Sequence, residues 1–305
     1  MEKGEKIMNY FKRIGAYWNK PQHAAYLFVA PVMLILLTFT LIPMCASIYL
    51  AFTDLDLFLT QANWVGLKNF EKALSDRRFV NSFGVSVRYT LIAVPMSLIL
   101  AMFIAALIAR PSRFNKMVRT IYFLPVVFSS TATGIMWELL LNRYMGLLPY
   151  WAKLLGLPRF DVFNDPNLAL PAICMVAIWG GFGMTSIIFL AAMKAIPNEL
   201  YESAEMDGAT KVRQYFSITF PEIMSTFWFM LITNIIGSLQ VFDLIYIITD
   251  GGPMYKTETT VAYMFYTAYT KYKLGYASAE AVLLFLFILV LTVIMYAMMQ
   301  RQERD

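Results

Sequence analysis

The sequence of 305 residues contains few charged residues, one histidine and two cysteines. Charged residues make up 15% of it, whereas a typical soluble domain carries about a quarter. With a single histidine, the chain cannot build a histidine-based metal cluster or a conventional nucleophilic triad. We expect His23 to lie at the level of lipid headgroups, and Cys45 and Cys174 to be small buried filler within apolar segments. These absences argue against an enzyme.

A phosphate-binding loop is also missing. The pattern G-x-x-x-x-G-K-[ST], which cradles nucleotide phosphates, occurs nowhere in the sequence. We therefore expect the chain to bind no cofactor of its own. The net charge of +5 does not indicate a nucleic-acid partner, because the basic residues cluster beside apolar runs, where they would face lipid headgroups.

Long apolar runs dominate what is present. The sequence is 59% hydrophobic, and runs of 18 or more apolar residues recur, each long enough to cross a hydrocarbon core of ~30 Å as a helix. Unpaired backbone amides are too costly in lipid, so these runs must be helical. The sequence predicts an all-α, polytopic membrane protein with six transmembrane helices: Ala24–Phe52, Ser82–Ala109, Arg119–Leu141, Leu168–Ala192, Glu222–Ile248 and Ala277–Met299. We expect kinks at the prolines inside them, Pro31, Pro43, Pro95 and Pro125.

The distribution of Lys and Arg predicts the orientation. The side with the N-terminal tail carries 14 of these residues and the opposite side carries 10. Because basic loops stay in the cytoplasm, both termini are expected there. The first apolar run is too long for a cleavable signal, so we interpret it as a retained helix. The chain then divides into a cytoplasmic tail (1–23), a six-helix membrane domain (24–299) and a second cytoplasmic tail (300–305).

The loops on the opposite side, at about 53–81, 142–167 and 249–276, are long for a minimal helical bundle. They are rich in aromatic residues, among them Trp64, Tyr144, Tyr150, Trp151, Tyr255 and Tyr263. Two interpretations are open. These rings form an interfacial aromatic belt, or they form a platform for an external partner.

A polar loop at 194–221 separates the fourth and fifth predicted spans. Asn198 is expected to cap a helix that begins at Glu199, with Glu199 and Glu202 in its first turn and Gly208 at its end. The segment from Lys194 to Glu222 has three basic and five acidic residues. An amphipathic helix on a membrane surface is usually rich in Lys and Arg. The acidic character therefore favours a docking surface for a soluble protein over a plain membrane-surface connector.

A second short helix is expected after Gly208. Val212, Phe216 and Phe220 recur at a spacing of four, which predicts one apolar stripe that anchors this helix to the bundle. Pro221 suits the first turn of the fifth span. Two short helices joined at a glycine would form a rigid protruding element.

The residues Glu202-Ser203-Ala204-Glu205-Met206-Asp207-Gly208-Ala209, followed by Phe216, Ile218 and Pro221, resemble the EAA motif of ABC-importer permeases. At Ser203 the alanine of the motif is replaced by serine, another small residue. Further agreement with the carbohydrate-uptake branch extends from about Ala24 to Met299. It includes Leu41-Ile42-Pro43, Ala51-Phe52-Thr53-Asp54, Trp179-Gly180-Gly181-Phe182, Thr249, Gly251-Gly252-Pro253 and Gly275-Tyr276-Ala277-Ser278-Ala279.

The resemblance implies a multi-pass permease subunit in the cytoplasmic (inner) membrane of a bacterium, similar to maltose- and multiple-sugar-type importers. It implies a second permease subunit, two ATPase subunits that bind ATP and Mg, and an extracytoplasmic solute-binding protein. The helix at 199–208 would be the coupling helix that docks on an ATPase subunit. The coupling residues would be Glu199, Glu202, Ser203, Ala204, Asp207, Gly208, Phe216 and Pro221.

Candidate residues for a solute pathway combine flat apolar faces with hydrogen-bonding groups. They are Glu138, Trp179, Phe182, Asn234, Ser238, Phe242, Asp243 and Tyr246. Ser238, Phe242 and Tyr246 would share one face of the fifth span, at a spacing of four. For each residue taken singly, ordinary helix packing is the favoured explanation.

An ion-gradient-driven secondary transporter or channel is the alternative. It would need acidic residues deep in the bundle and commonly has internal repeats, and the sequence shows neither clearly. The identity of the solute does not follow from the sequence.

Overall fold

The computed structural model describes residues 21–58, 62–109, 112–158 and 161–302. The predicted tails 1–23 and 300–305 fall largely outside these ranges, as do several basic residues that predict the orientation. The expected environment of His23 also lies outside the described side chains. Within the described ranges the fold is helical, apart from one isolated bridge between Thr53 and Trp64. The predicted all-α class is confirmed.

The helices of the first half are α1 (Pro21–Leu36), α2 (Ile42–Leu50), α3 (Lys68–Ser75), α4 (Arg77–Ile108), α5 (Arg113–Phe123), α6 (Ser130–Leu141) and α7 (Leu147–Leu154). Those of the second half are α8 (Ala169–Ala195), α9 (Asn198–Met206), α10 (Lys211–Gln214), α11 (Phe220–Glu222), α12 (Met224–Leu239), α13 (Asp243–Ile248), α14 (Thr260–Phe265) and α15 (Leu274–Gln302). Shorter turns join some of them: π turns at Leu37–Leu41, Tyr215–Thr219 and Tyr266–Thr270, and a 3₁₀ turn at Leu124–Val127. Helices α3, α7 and α14 lie in the loops at 53–81, 142–167 and 249–276, where the sequence had predicted none.

Four helices in the described part of the chain are long and apolar enough to cross a membrane: Phe28–Leu50, Arg77–Ile108, Ala169–Ala195 and Leu274–Gln302. They match the first, second, fourth and sixth predicted spans within a few residues. Two bent pairs raise the number to six if each pair is one span.

The first bent pair replaces the predicted single span Arg119–Leu141. Residues Arg113–Val127 and Ser130–Leu141 meet at 100°. Pro125, which has no N–H, lies in the 3₁₀ turn before the bend, and Ser129 Oγ accepts the N–H of Ala132 at 3.2 Å and caps the new helix. The kink expected at Pro125 is therefore a break between two helical arms.

The predicted span Glu222–Ile248 is also not one helix. It begins after a 68° bend at Ile223 and stops at Leu239, because Phe242 leaves the helical region with φ −134°. The carbonyl of Val241, which no longer has a helical partner, accepts the hydroxyl of Thr259 at 2.9 Å. A hydroxyl from a distant segment thus makes the interruption tolerable inside a bundle.

Helices α4 and α8 form the centre of the bundle, with α12 packed against both. Helix α8 also lies close to the end of α5, because Gly183 on α8 has no side chain; a Cβ there would lie 2.8 Å from the carbonyl oxygen of Tyr122. Cys174 is buried in this core, as expected. Cys45 is exposed on α2, a helix that contacts α15 but, like α1, has no buried side chain among those described. The expectation of a buried Cys45 is wrong for the single chain.

The bundle has two distinct ends. Helix α4, about 48 Å long by its 32 residues, runs from Asp76 at one end to the polar loop at the other. We call these the Asp76 end and the loop end. At the Asp76 end, the Asp76 carboxylate caps α4 and accepts the hydroxyls of Tyr263 and Tyr276 at 2.7 and 3.1 Å.

Candidate functional site

The polar loop forms the two short helices that the sequence predicts, with small corrections. Helix α9 begins at Asn198, and Pro197 rather than Asn198 occupies the cap position, with no side-chain hydrogen bond. Gly208 ends the helix as expected, in the left-handed region at φ +76°. The N–H of Ala209 then reaches back to the carbonyl of Ala204 at 2.9 Å, which closes a Schellman-type end.

Helix α9 presents most of its surface to the outside. Within residues 198–206, all of which the structure describes, only Tyr201 and Ala204 are not exposed. The exposed set includes Glu199, Glu202 and Ser203, and Asp207 and Gly208 are exposed just beyond it. The predicted coupling residues Glu199, Glu202, Ser203, Asp207 and Gly208 therefore form an accessible acidic surface, and Ala204 is half-buried.

The two short helices are braced against each other. Lys211 Nζ forms an ion pair with Glu205 and donates to Gln214 Oε1 at 3.2 Å. Gln214 Nε2 in turn donates to the carbonyl of Ala209 at 3.2 Å. The Thr210 hydroxyl caps α10. The ion pair thus links α9 to α10, and the other bonds order α10 and the segment before it, so the loop is a formed element.

The predicted apolar stripe does not anchor the loop. Val212 and Phe216 are 68% and 65% exposed, and only Phe220 is half-buried. The π turn at Tyr215–Thr219 inserts an extra residue into the helical turn, which breaks the spacing of four. Tyr215 and Ile218 pack against the core instead. Val212, Phe216 and Phe220 border a cavity of about 1110 Å³ beside the end of α4.

Pro221 lies in the three-residue helix α11, before the bend at Ile223. It therefore precedes the long arm α12 and is not part of that arm's first turn. The bend places α12 across α4 and α8 at the centre of the bundle.

A second cavity, of about 380 Å³, lies between α4, α8 and α12. Two of the predicted solute-pathway residues, Asn234 and Ser238, line it together with Tyr89, Ser97 and Thr185. The Ser238 hydroxyl donates to Thr90 Oγ1 at 2.9 Å, which joins α12 to α4 at this cavity. Gly181 and Gly237 also line it, and no atom lies within 4 Å of a Cβ built at either glycine. The cavity thus combines open space with hydroxyl and amide groups, and it opens to the surface of the single chain beside the exposed Gly181 and Gly237.

Aromatic rings form a row at the interruption after α12. Phe242 stacks on Tyr246 at 5.2 Å between ring centroids, and Phe265 lies 5.0 Å from Phe242. Tyr269 continues the row at 4.7 Å from Phe265. Both Tyr246 and Tyr269 are about half exposed. Because Phe242 is outside the helix, its contact with Tyr246 does not arise from the shared helical face with Ser238 that the sequence predicted.

The remaining predicted pathway residues lie apart. Phe182 is buried against Tyr122, 5.9 Å between ring centroids, within the core. Trp179 meets Trp137 edge to face at 5.6 Å. Glu138 is half-buried on α6, and Asp243 is exposed at the start of α13. Of these residues, Phe182 has the environment of a packing residue and does not line the central cavity.

Two interactions escape sequence reasoning entirely. Arg78 makes a bidentate ion pair with Glu258, 180 residues away, and stacks on Tyr255 at 4.0 Å. Tyr201 bonds to Thr219 across the polar loop at 2.9 Å. A local sequence pattern carries no signal for either contact.

Comparison with known proteins places these features in a family context. Residues 72–305 match the model of the family described as binding-protein-dependent transport system inner membrane component. The chain is 33% identical over 283 residues to the probable ABC transporter permease protein YesP of Bacillus subtilis (strain 168), covering 91% of each. It is 30% identical over 278 residues to the sn-glycerol-3-phosphate transport system permease protein UgpA of Agrobacterium fabrum, covering 91% of this chain and 94% of the relative.

Two further similarities extend the comparison. The trehalose/maltose transport system permease protein MalF of Thermococcus litoralis is 29% identical over 280 residues, with 92% of this chain and 94% of the relative covered. Among solved structures, the fold matches a chain of a bacterial ABC transporter involved in the import of the acidic polysaccharide alginate. That match has a TM-score of 0.82 and 23% identity, and covers 96% of this chain and 99% of that one.

Proposed function

This chain belongs to the binding-protein-dependent transport system inner membrane components and is a multi-pass permease subunit of an ABC importer; we propose that it carries a sugar or another hydroxyl-rich solute, with α9 as its coupling helix. The observation that carries the proposal is the acidic surface of α9. It lies on a braced element, in a chain that has no nucleotide-binding motif of its own. An exposed acidic helix held at a fixed angle suits docking on a soluble ATPase.

The coupling residues divide into two roles. Glu199, Glu202, Ser203 and Asp207 are exposed and would contact the ATPase subunit, where the carboxylates would pair with basic groups. Gly208 holds the turn that sets the direction of the following segment. Ala204 and Pro221 would hold or guide the loop against its neighbours, and the exposed Phe216 would contact the ATPase subunit. The ATPase subunits would bind ATP and Mg, and this chain would transmit their movement.

The same proposal sets the orientation. If α9 meets an ATPase, the loop end is cytoplasmic and the Asp76 end is extracytoplasmic, which agrees with the Lys and Arg bias and with both termini in the cytoplasm. The bent pair Arg113–Val127 and Ser130–Leu141 would then be one interrupted span, and α12, which follows the loop, would supply another, which gives six. The loops at the Asp76 end would receive solute from an extracytoplasmic binding protein.

The solute pathway would use the central cavity and the aromatic row. Asn234 and Ser238 offer hydrogen bonds inside the cavity, and Phe242 and Tyr246 offer flat faces near its end. Such a combination suits a sugar, which has both apolar faces and hydroxyl groups. Relatives described as transporting trehalose, maltose and sn-glycerol 3-phosphate fall in the same solute range.

A second permease subunit, different from this one or identical to it, would complete the pathway. Helices α1 and α2 bury no described side chain in their own bundle, so a partner or lipid must cover them. The ion-gradient-driven alternative has no support once the family is established.

The test is uptake by proteoliposomes that contain the full assembly, with the solute that raises the melting temperature of the binding protein. Glu202→Lys is expected to abolish ATP-driven uptake and co-purification with the ATPase subunits while membrane insertion persists. Glu71→Lys makes the same change on an exposed residue of α3 at the Asp76 end and should leave co-purification intact. Normal uptake by Glu202→Lys would refute the coupling role.

A further inference from the structure

Helix α9 meets the rest of the chain through one side chain above all. Tyr201 and Ala204 are the residues of α9 that are not exposed, and Ala204 carries only a methyl group. The Tyr201 ring packs against the core cluster that contains Ile196 and Ile223. Tyr201 is therefore the main side-chain contact between this helix and the bundle, on the face opposite the exposed carboxylates.

The Tyr201 hydroxyl has a defined partner. It lies 2.9 Å from Thr219 Oγ1, and Thr219 is only 7% exposed. A hydrogen bond between two hydroxyls at this distance is well formed, and it lies at the wall of the cavity of about 1110 Å³. The bond joins α9 to the last residue of the π turn, across 18 positions of sequence.

Thr219 lies a few residues before α12, the helix that crosses the bundle. The chain continues from it through α11 to the 68° bend at Ile223, where α12 begins. Helix α12 carries Asn234 and Ser238 into the central cavity. One hydroxyl pair thus connects the exposed helix to the base of the arm that lines the cavity.

Other connections within the loop do not make this link. The Lys211–Glu205 ion pair joins α9 to α10, the Gln214 hydrogen bond joins α10 to the segment between them, and neither reaches α12. The ion pair is also exposed, and exposed pairs contribute little.

We propose that Tyr201 is a positioning residue that transmits movement of α9 to α12 through its hydrogen bond to Thr219. This inference rests on the proposed function, since it takes α9 as the surface on which an ATPase subunit docks. The Tyr201 ring holds α9 against the core, and the Tyr201 hydroxyl bonds to Thr219, which lies just before α12. A displacement of α9 then shifts Thr219, the bend at Ile223 and the cavity-lining face of α12 together.

The experiment measures solute taken up per ATP hydrolysed by the complete assembly in proteoliposomes. Tyr201→Phe removes the hydroxyl and keeps the ring, and Thr219→Val removes the partner hydroxyl at equal size. Each is expected to lower this ratio about two- to tenfold, the effect of one hydrogen bond. The double variant should be no worse than either single variant, because both remove the same bond. Thr219→Ser keeps the hydroxyl and should restore the ratio, and Tyr296→Phe, on an exposed tyrosine of α15, is the control for hydroxyl loss elsewhere.

The outcomes separate the two proposals. An unchanged ratio in both single variants would overturn the role of Tyr201, as would a parallel loss of uptake and ATP hydrolysis with the ratio intact, which indicates stability alone. Additive losses in the double variant would show that the two hydroxyls act separately and would also overturn it. If the unaltered assembly takes up solute without ATP, the proposed function itself fails.

Discussion

The guanidinium of Arg78 donates two hydrogen bonds, of 2.7 and 2.8 Å, to the carboxylate of Glu258. Arg78 lies in the first turn of α4, and Glu258 lies just before α14. Tyr255 and Tyr266 flank the guanidinium at 4.0 and 4.2 Å from their ring centroids. The Glu258 side chain is 5% exposed, so it has little water to replace a lost partner. The pair holds the loop at 249–259 to the end of α4.

Loss of this pair is expected to destabilise the chain. Arg78→Ala leaves a nearly buried carboxylate unpaired, which costs about 3–5 kcal/mol in comparable cases. Arg78→Lys keeps the charge but cannot bond both oxygens with a planar fork, so its effect should be intermediate. Thermal unfolding in detergent is the measurement. The neighbouring Arg77 is exposed, and Arg77→Ala should stay within about 0.5 kcal/mol of the unaltered chain. Equal effects at Arg77 and Arg78 would contradict the buried pair.

A glycine at the Asp76 end permits a close backbone contact. A Cβ at Gly275 would lie 2.1 Å from the carbonyl oxygen of Thr53, so Gly275→Ala must move backbone. We expect a loss of about 1–3 kcal/mol in the free energy of unfolding. At Gly180, on α8, a Cβ meets no atom within 4 Å, so Gly180→Ala should not destabilise the isolated chain. If Gly275→Ala left the free energy of unfolding unchanged in the same assay, the close contact between Gly275 and Thr53 would be contradicted.

Acid should weaken the Asp76 end in a defined way. Burial alone would raise the pKa of Asp76, but hydrogen bonds from Tyr263, the Arg78 backbone N–H and Tyr276 outweigh it and hold this pKa below its ordinary value. A pKa that is lower in the folded than in the unfolded state stabilises the fold above the unfolded value of about 3.9, and this stabilisation is lost as the pH falls through the folded value. Asp76→Asn should therefore be less stable than the unaltered chain at neutral pH, and the difference should shrink below about pH 4.

Unfolding midpoints recorded from neutral to acid pH measure this difference. Tyr263→Phe removes one donor to Asp76 and should give a smaller loss of the same sign. A gap between Asp76→Asn and the unaltered chain that is constant across the pH range would contradict the stated cause.

The central cavity should be required for transport. Gly181 lines the cavity and has open space at its Cβ, so Gly181→Leu should fill part of the 380 Å³ and reduce uptake strongly. Gly180→Leu adds the same side chain one position earlier, where it does not line the cavity, and should retain far more uptake. The measurement is initial uptake by the complete assembly at equal amounts of membrane-inserted chain. Equal loss in both variants would indicate that added bulk on α8, rather than the cavity, is responsible.

The sequence predicted what depends on local signals and missed what depends on distant partners. The four straight spans and the end of α9 at Gly208 follow from apolar length and turn chemistry. The break before Asp243 does not, because it is stabilised by the hydroxyl of Thr259, 18 positions away from Val241. No local pattern reports such a partner.

The polar loop shows the same division. Its acidic exposed surface follows from local composition, since polar residues stay exposed unless a partner is available. The prediction that an apolar stripe through Val212 and Phe216 anchors the loop was wrong. Periodicity assumes a regular helix, and a single π turn shifts the helical register. The anchor at Tyr201 is visible only once the fold brings Thr219 beside it.

The turn at Gly208 gives the last prediction. Its φ of +76° is open to glycine and, at modest cost, to asparagine, but proline fixes φ near −65°. Its N–H also donates to the carbonyl of Glu205 at 3.0 Å, a bond that proline removes. Gly208→Pro should therefore redirect the chain after α9 and abolish ATP-driven uptake, while Gly208→Asn should retain most of it. Uptake and co-purification of the ATPase subunits, measured side by side, test this. Because no atom lies within 4 Å of a Cβ at Gly208, crowding cannot explain a difference between the two variants, and the backbone angle and the lost hydrogen bond are left as its causes.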